Sequence, residues 1–73
     1  MNLHQHLSAT AIGSYAEPAA DSSGIVCFNS ERDAETFGAL LRDLYHPAAY
    51  GTYADVHENG GLFYVTWFVG SAD

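Results

Sequence analysis

Residues 30–47, SERDAETFGALLRDLYHP, contain the clearest helix signal in the chain. Ser30 is a good helix N-cap, and the acids that follow it lie where the helix dipole favours negative charge. Pro47 discourages helical geometry at His46, immediately before it. The spacing of three and four residues predicts a helix over Glu31–Tyr45. Its apolar stripe consists of Ala34, Phe37, Leu41 and Leu44.

The segment TYADVHENGGLFYVTWFV, residues 52–69, predicts a β-hairpin. Thr52–Glu58 and Gly61–Val69 flank Asn59-Gly60, a pair that type I′ turns prefer. This turn predicts one mostly apolar face of cross-strand pairs: Val56–Phe63, Ala54–Val65 and Thr52–Trp67. The opposite face is predicted to hold the pairs His57–Leu62, Asp55–Tyr64 and Tyr53–Thr66, followed by Phe68. The turn and the alternation agree, which favours this register.

The residues before the helix predict two further strands. Ile25–Phe28 is a short apolar run typical of a central strand. Glu17–Gly24 is rich in Pro, Ala, Asp and Ser and is typical of a loop. We expect an edge strand over Ser8–Ala16, because β-branched and aromatic residues occur there. The alternative is a short helix over Leu3–Ala11.

Together these elements predict one small domain over residues 1–73, with residues 1–16 as an edge strand or a flexible segment. The fold class is α+β with the order ββαββ. We expect an antiparallel or mixed four-stranded sheet with one helix packed on one face. A chain of this length is near the lower size at which a single core stabilises a fold.

The charge balance is strongly acidic. Nine acids stand against two bases, both arginines, which gives a net charge of −7. Direct binding to nucleic acid or to an anionic membrane depends on Lys and Arg, so we expect neither. The field of such a domain favours a protein partner with a basic surface, including the nucleic-acid groove of another protein. A plain solubility bias, or a GC-rich genome, explains the same composition.

The sequence offers little for chemistry. Cys27 stands alone in an apolar run, which favours a buried, inert thiol. His4 and His6 have no further ligands at a recognisable spacing, so we expect exposed side chains and no metal. No motif places a base beside a nucleophile, and no phosphate-binding loop is present. We therefore expect no enzyme and no cofactor. The N-terminus lacks signal-peptide features, which predicts an intracellular, cytoplasmic protein.

The hairpin face that a single helix leaves uncovered is the best candidate site. It consists of Tyr53, Asp55, His57, Leu62, Tyr64 and Phe68. Aromatic residues beside polar ones are typical of protein interfaces, where Tyr is enriched. We predict a partner-binding surface here, which a homodimer could also use. In the alternative, the N-terminal segment folds over this face and buries it.

Three acids at the start of the helix are the second candidate. Glu31, Asp33 and Glu35 span roughly 6 Å at the ~1.5 Å rise per helical residue. That length is comparable to one or two phosphate spacings, so a basic groove could accept them in place of a nucleic-acid backbone. Ordinary compensation of the helix dipole would place the same acids there.

The chain resembles, as a class, the small phage-encoded inhibitors of host defence called anti-CRISPR proteins. The features that carry the resemblance are the size, the excess of acids over Arg, the missing catalytic motif, and the Ser30–Val69 core with its exposed aromatic residues. The resemblance implies docking on a CRISPR–Cas effector in the host cytoplasm, with DNA binding or nuclease recruitment blocked. Tyr53, Asp55, Tyr64 and Phe68 would then be anchors. The alternative is a small homo-oligomeric accessory subunit that assembles through the same face.

Overall fold

The computed structural model describes residues 2–45 and 51–70. Its elements are α1 (Leu3–Thr10), β1 (Ala11–Ile12), β2 (Ser22–Phe28), α2 (Glu31–Tyr45), β3 (Tyr53–Asn59) and β4 (Leu62–Val69). The four strands form one sheet in the order β1-β2-β4-β3, and every neighbouring pair is antiparallel. The predicted α+β class and the ββαββ order are confirmed. Helix α1 precedes them as an additional element.

The N-terminal segment is mostly helical, so the edge strand predicted over Ser8–Ala16 is wrong except at the two residues of β1. The alternative, a short helix, is what forms. Asn2 caps it: its Oδ1 accepts the Gln5 N–H at 2.8 Å, and Gln5 Oε1 accepts the Asn2 N–H at 3.1 Å. This reciprocal capping satisfies two helix-end donors. Leu3 and Leu7, one turn apart, are buried in the core and add to its stability.

Helix α2 has the predicted bounds, and Ser30 caps it, with its Oγ accepting the Asp33 N–H at 3.2 Å. The first three residues of the predicted apolar stripe are fully buried. Leu44 is 60% exposed, so the prediction that it belongs to this stripe is wrong. Tyr45, a full four residues after Leu41, packs against the core instead. Its hydroxyl donates to the Pro18 carbonyl at 3.0 Å. His46 and Pro47 lie outside the described residues.

The hairpin forms, but its predicted register is wrong by two residues. Val56 pairs with Val65 rather than with Phe63, and Asn59 pairs with Leu62. The loop is therefore Gly60-Gly61, whose φ angles are 62° and 84°. A type I′ turn needs positive φ at both loop positions, and two glycines adopt it without a Cβ clash. A shift of two residues preserves the alternation, so every residue keeps its predicted face.

Strand β2 lies between β1 and β4, as expected for the predicted central strand. It begins at Ser22, so the predicted loop over Glu17–Gly24 ends three residues early. Both helices pack on the same side of the sheet. The buried apolar residues on that side are Leu3, Leu7, Val26, Phe28, Ala34, Phe37, Leu41, Val65, Trp67 and Val69. Within the described part of the chain, neither helix has the length and hydrophobicity needed to cross a membrane.

Candidate functional site: the open face of the sheet

The side of the sheet away from the helices is a continuous surface, which we call the open face. Because side chains alternate along a strand, the register assigns its members. They are Ile12, Ser23, Ile25, Cys27, Tyr53, Asp55, His57, Asn59, Leu62, Tyr64, Thr66 and Phe68. In residues 2–45 and 51–70, both helices contribute to the core on the other side. The alternative in which the N-terminal segment covers this face is therefore wrong.

All six residues of the predicted binding surface lie on the open face. Tyr53 is 44% exposed, Asp55 and His57 are exposed, and the other three are half-buried. The structure adds Ile25, which is 59% exposed and projects from the middle of the sheet. Ile25 was not among the predicted site residues, because Ile25–Phe28 was interpreted as a continuous apolar run of a central strand and its two faces were not assigned. The alternation Ser23, Ile25, Cys27 against Gly24, Val26, Phe28 was the available signal.

The open face contains an aromatic pair. Tyr53 and Phe68 are cross-strand partners, and their rings stack with centroids 5.9 Å apart and planes inclined by 27°. Cross-strand aromatic pairs stabilise a sheet and hold both rings in place. The pair is therefore an ordered apolar surface beside the start of β3. Such a rigid surface loses little side-chain entropy when a partner covers it.

A polar region lies at the other end of the hairpin. His57 Nε2 and Thr66 Oγ1 are 3.1 Å apart, and the hydroxyl can donate or accept in this contact. An open concavity of about 400 Å³ adjoins them; its lining residues are Ile25, His57, Glu58, Asn59, Tyr64 and Thr66. The concavity combines apolar walls with hydrogen-bonding groups. It can receive a partner's side chain.

The acids of α2 do not share this surface, because α2 packs on the opposite side of the sheet. Glu31 and Glu35 are exposed there, while Asp33 is half-buried. Glu31 and Asp33 lie in the first turn, where they compensate the helix dipole. The structure therefore separates the two predicted sites. Among the described residues, Asp55 is the carboxylate that the register puts on the open face, and Glu58 lines the adjoining concavity.

The two N-terminal histidines differ. His4 is exposed, as predicted, and its Nδ1 lies 3.0 Å from Glu17 Oε1. The prediction for His6 is wrong, since its residue is only 3% exposed. Its Nε2–H donates to the Asp33 carbonyl at 2.8 Å, and its ring stacks on Phe28 with centroids 5.7 Å apart. Helix α1 places this side chain on the side of the helix that packs against α2 and the sheet.

Cys27 is the single cysteine of the chain. Cys27 is half-buried on the open face rather than fully buried as predicted, because its neighbours Val26 and Phe28 take the core side. Among the described residues, no three side chains of His, Cys, Asp or Glu are grouped so that they could hold a metal ion.

The positive charges also lie away from the open face. Arg32 and Arg42, the only basic residues apart from histidine, are both exposed on α2. The open face therefore combines aromatic and aliphatic side chains with one carboxylate and one imidazole. That composition suits contact with a protein surface better than contact with phosphates.

The fold and this face define a small antiparallel α+β domain with an uncovered, partly aromatic sheet surface. Comparisons with protein families, curated proteins and solved structures give no match to this chain.

Proposed function

We propose that this protein is a non-enzymatic, acidic binding protein whose open face docks on a protein with a basic surface. In its specific form, it is an inhibitor of the anti-CRISPR type that docks on a CRISPR–Cas effector and blocks DNA binding or nuclease recruitment. The observation that carries the proposal is the stacked pair of Tyr53 and Phe68 on a sheet face that no described helix covers.

The open face has the composition of an interface centre. Exposed Ile25 and Tyr53 lie on it with half-buried Tyr64 and Phe68, so a partner would bury a contiguous apolar area. Aromatic residues in such positions dominate interface energetics. We assign to Asp55 the contact with a basic group of the partner. We assign the anchoring role to these side chains and slow dissociation to their burial.

The charge of the domain supports a basic partner. With a net charge of −7 and no lysine, the chain is repelled by nucleic acid and attracted by surfaces that bind it. Glu31, Asp33 and Glu35 lie on the helix side, so they contribute to the field during approach rather than to the contact. Their influence is screened beyond about 8 Å at physiological salt. Steering therefore acts on the association rate.

The test is direct binding to purified CRISPR–Cas effector complexes, measured by biolayer interferometry with and without target DNA. We expect binding to at least one complex and competition with DNA or with nuclease recruitment. Phe68→Ser should weaken this binding about tenfold or more. Leu44→Ser is the matched control, since Leu44 is 60% exposed and apolar but lies on the helix side. It should leave the affinity unchanged.

Two outcomes would overturn the proposal. In the first, no effector complex binds the wild-type protein. In the second, a complex binds but Phe68→Ser and Tyr53→Ser lose no affinity relative to Leu44→Ser. A stable homo-oligomer that dissociates when Phe68 is changed, with no other partner, would favour an accessory subunit assembled through the open face.

A further inference from the structure

Strand β3 is an edge of the sheet. In the order β1-β2-β4-β3, β3 has one neighbour, and no other strand of the described residues pairs with it. Its pairing with β4 runs from Tyr53 to Asn59 without a bulge. The strand contains no proline and no lysine, which are common protections of an edge. It is a regular seven-residue edge that can accept another strand.

The hairpin determines which main-chain groups point outward. A β-turn over Gly60-Gly61 joins the Asn59 carbonyl to the Leu62 N–H, so Asn59 and Leu62 are a hydrogen-bonded pair. Hydrogen-bonded and non-hydrogen-bonded pairs alternate along an antiparallel ladder. The N–H and C=O groups of three residues therefore point away from β4. These residues are Ala54, Val56 and Glu58.

Self-pairing of this edge has one favoured register. If Val56 faces Val56 of a second copy, the whole strand overlaps and Asp55 lies opposite His57 of that copy. In the register in which Asp55 faces Asp55 of the second copy, two carboxylates lie opposite each other. If His57 faces its own equivalent, two imidazoles meet and the overlap is shorter. Two facing carboxylates repel each other, whereas an imidazole N–H can donate a hydrogen bond to a facing carboxylate, so the register centred on Val56 is favoured.

We infer that β3 pairs antiparallel with β3 of a second copy of this chain, centred on Val56. The outward groups of Ala54, Val56 and Glu58 then bond to those of Glu58, Val56 and Ala54 in the other copy. Asp55 and His57 form two symmetry-related pairs, in the non-hydrogen-bonded positions where side chains lie closest. The two sheets become one, and the two open faces become a single surface. Because the outward groups and the Asp55–His57 pairs match when the strand pairs with itself, the edge is self-complementary. A second copy of this chain is therefore the partner that we assign to it.

The first test removes one outward N–H. Glu58→Pro deletes it without disturbing the β3–β4 ladder, because proline is tolerated at the free side of an edge strand. Glu58→Ala is the matched control: it also loses the carboxylate that accepts the Gly61 N–H at 2.9 Å, but it keeps the outward N–H. Sedimentation equilibrium should give a dimer for the wild type and for Glu58→Ala. The dimer dissociation constant of Glu58→Pro should be about tenfold higher or more.

The second test examines the register. His57→Asp alone puts a carboxylate opposite Asp55, and Asp55→His alone puts an imidazole opposite His57. Each single change should raise the dimer dissociation constant of the order of tenfold, since two symmetric pairs change at once. The double variant, Asp55→His with His57→Asp, exchanges the two positions and should restore the wild-type value. Far-UV circular dichroism checks that all three variants remain folded.

Each remaining outcome overturns the inference. A monomeric wild type at millimolar concentration excludes the pairing but leaves the open-face proposal intact, because that proposal needs no second copy. A dimer that survives Glu58→Pro but not Phe68→Ser assembles through the open face instead. A double variant no better than either single change shows that the register is not centred on Val56.

Discussion

The indole of Trp67 lies against Gly24, its partner across β2 and β4, so closely that a Cβ on Gly24 would stand 2.9 Å from Cζ2. The missing side chain at Gly24 is therefore what lets the largest core residue lie over the sheet. Trp67 is only 1% exposed and belongs to the buried core, so other core residues surround its ring. A rigid ring cannot yield as the end of a flexible chain could.

We expect Gly24→Ala to lower the free energy of unfolding by about 1–3 kcal/mol, because the added methyl forces the indole or the backbone to shift. Ser23→Ala, one residue away on the open face, should change stability by less than about 0.5 kcal/mol. Urea unfolding followed by far-UV circular dichroism measures both. Equal stability of the two variants would show that Trp67 is not held against Gly24.

Neighbouring residues of β4 should differ sharply in their contribution to stability. Trp67 faces the core and Phe68 faces away from it. Trp67→Ala should cost about 3–5 kcal/mol and unfold much of a domain of this size. Phe68→Ala loses the contact with Tyr53 and should cost about 0.5–1.5 kcal/mol. Thermal denaturation of these two variants tests whether the open face is a surface. If Phe68→Ala is as unstable as Trp67→Ala, Phe68 belongs to the core.

The loop of the hairpin gives a test of the register. Gly61→Ala should destabilise the protein by about 1–2 kcal/mol, because its φ of 84° is a conformation that side chains disfavour. Asn59→Ala should cost less, since Asn59 ends a strand and lies outside the loop. If the loop were Asn59-Gly60 instead, Asn59→Ala would destabilise the protein more than Gly61→Ala. Nuclear Overhauser contacts between the Hα atoms of Val56 and Val65 would confirm the pairing directly.

Under the proposed function, charge and anchoring should affect different rate constants. Glu31→Gln with Glu35→Gln should slow association with the basic partner about two- to fivefold at low salt and leave dissociation unchanged. Asp55→Asn should mainly speed dissociation, because Asp55 lies on the contact surface. Interferometry at two salt concentrations separates the rates. If the α2 variants leave association and its salt dependence unchanged, the steering role is wrong.

The parts of the fold that the sequence predicts are those with strong local periodicity. The bounds of α2 follow from its cap and its apolar spacing, and the faces of the hairpin follow from alternation. The register was not predictable from Asn59-Gly60, because Gly61 makes Gly60-Gly61 an equally good loop. The helix α1 was only the second choice for its segment, because its stability comes from the capping by Asn2 and Gln5 and from burial against α2. The site was predicted as one face of the hairpin. Alternation along β2 groups Ile25 with Ser23 and Cys27, but only the pairing of β2 with β4 puts these residues on that face.

The last prediction concerns the contact between α1 and α2. His6 donates to the Asp33 carbonyl and stacks on Phe28, so it ties the first helix to both α2 and the sheet. His6→Ala should cost about 2–4 kcal/mol, from the lost ring packing and a cavity. His6→Phe restores a ring but not the donor and should cost about 1 kcal/mol. His4→Ala, on the exposed side of the same helix, is the control and should be nearly neutral.

Hydrogen exchange distinguishes a local loosening of α1 from a general loss of stability in the His6 variant. Relative to the wild type, His6→Ala should accelerate the exchange of the α1 amides more than that of the β4 amides. The reason is that α1 contacts the rest of the domain chiefly through its buried side chains. In His4→Ala the exchange of α1 should match the wild type. If His6→Ala accelerates exchange uniformly, α1 is part of one cooperative unit with the sheet. In that case the His6–Asp33 bond stabilises the whole core rather than the docking of α1.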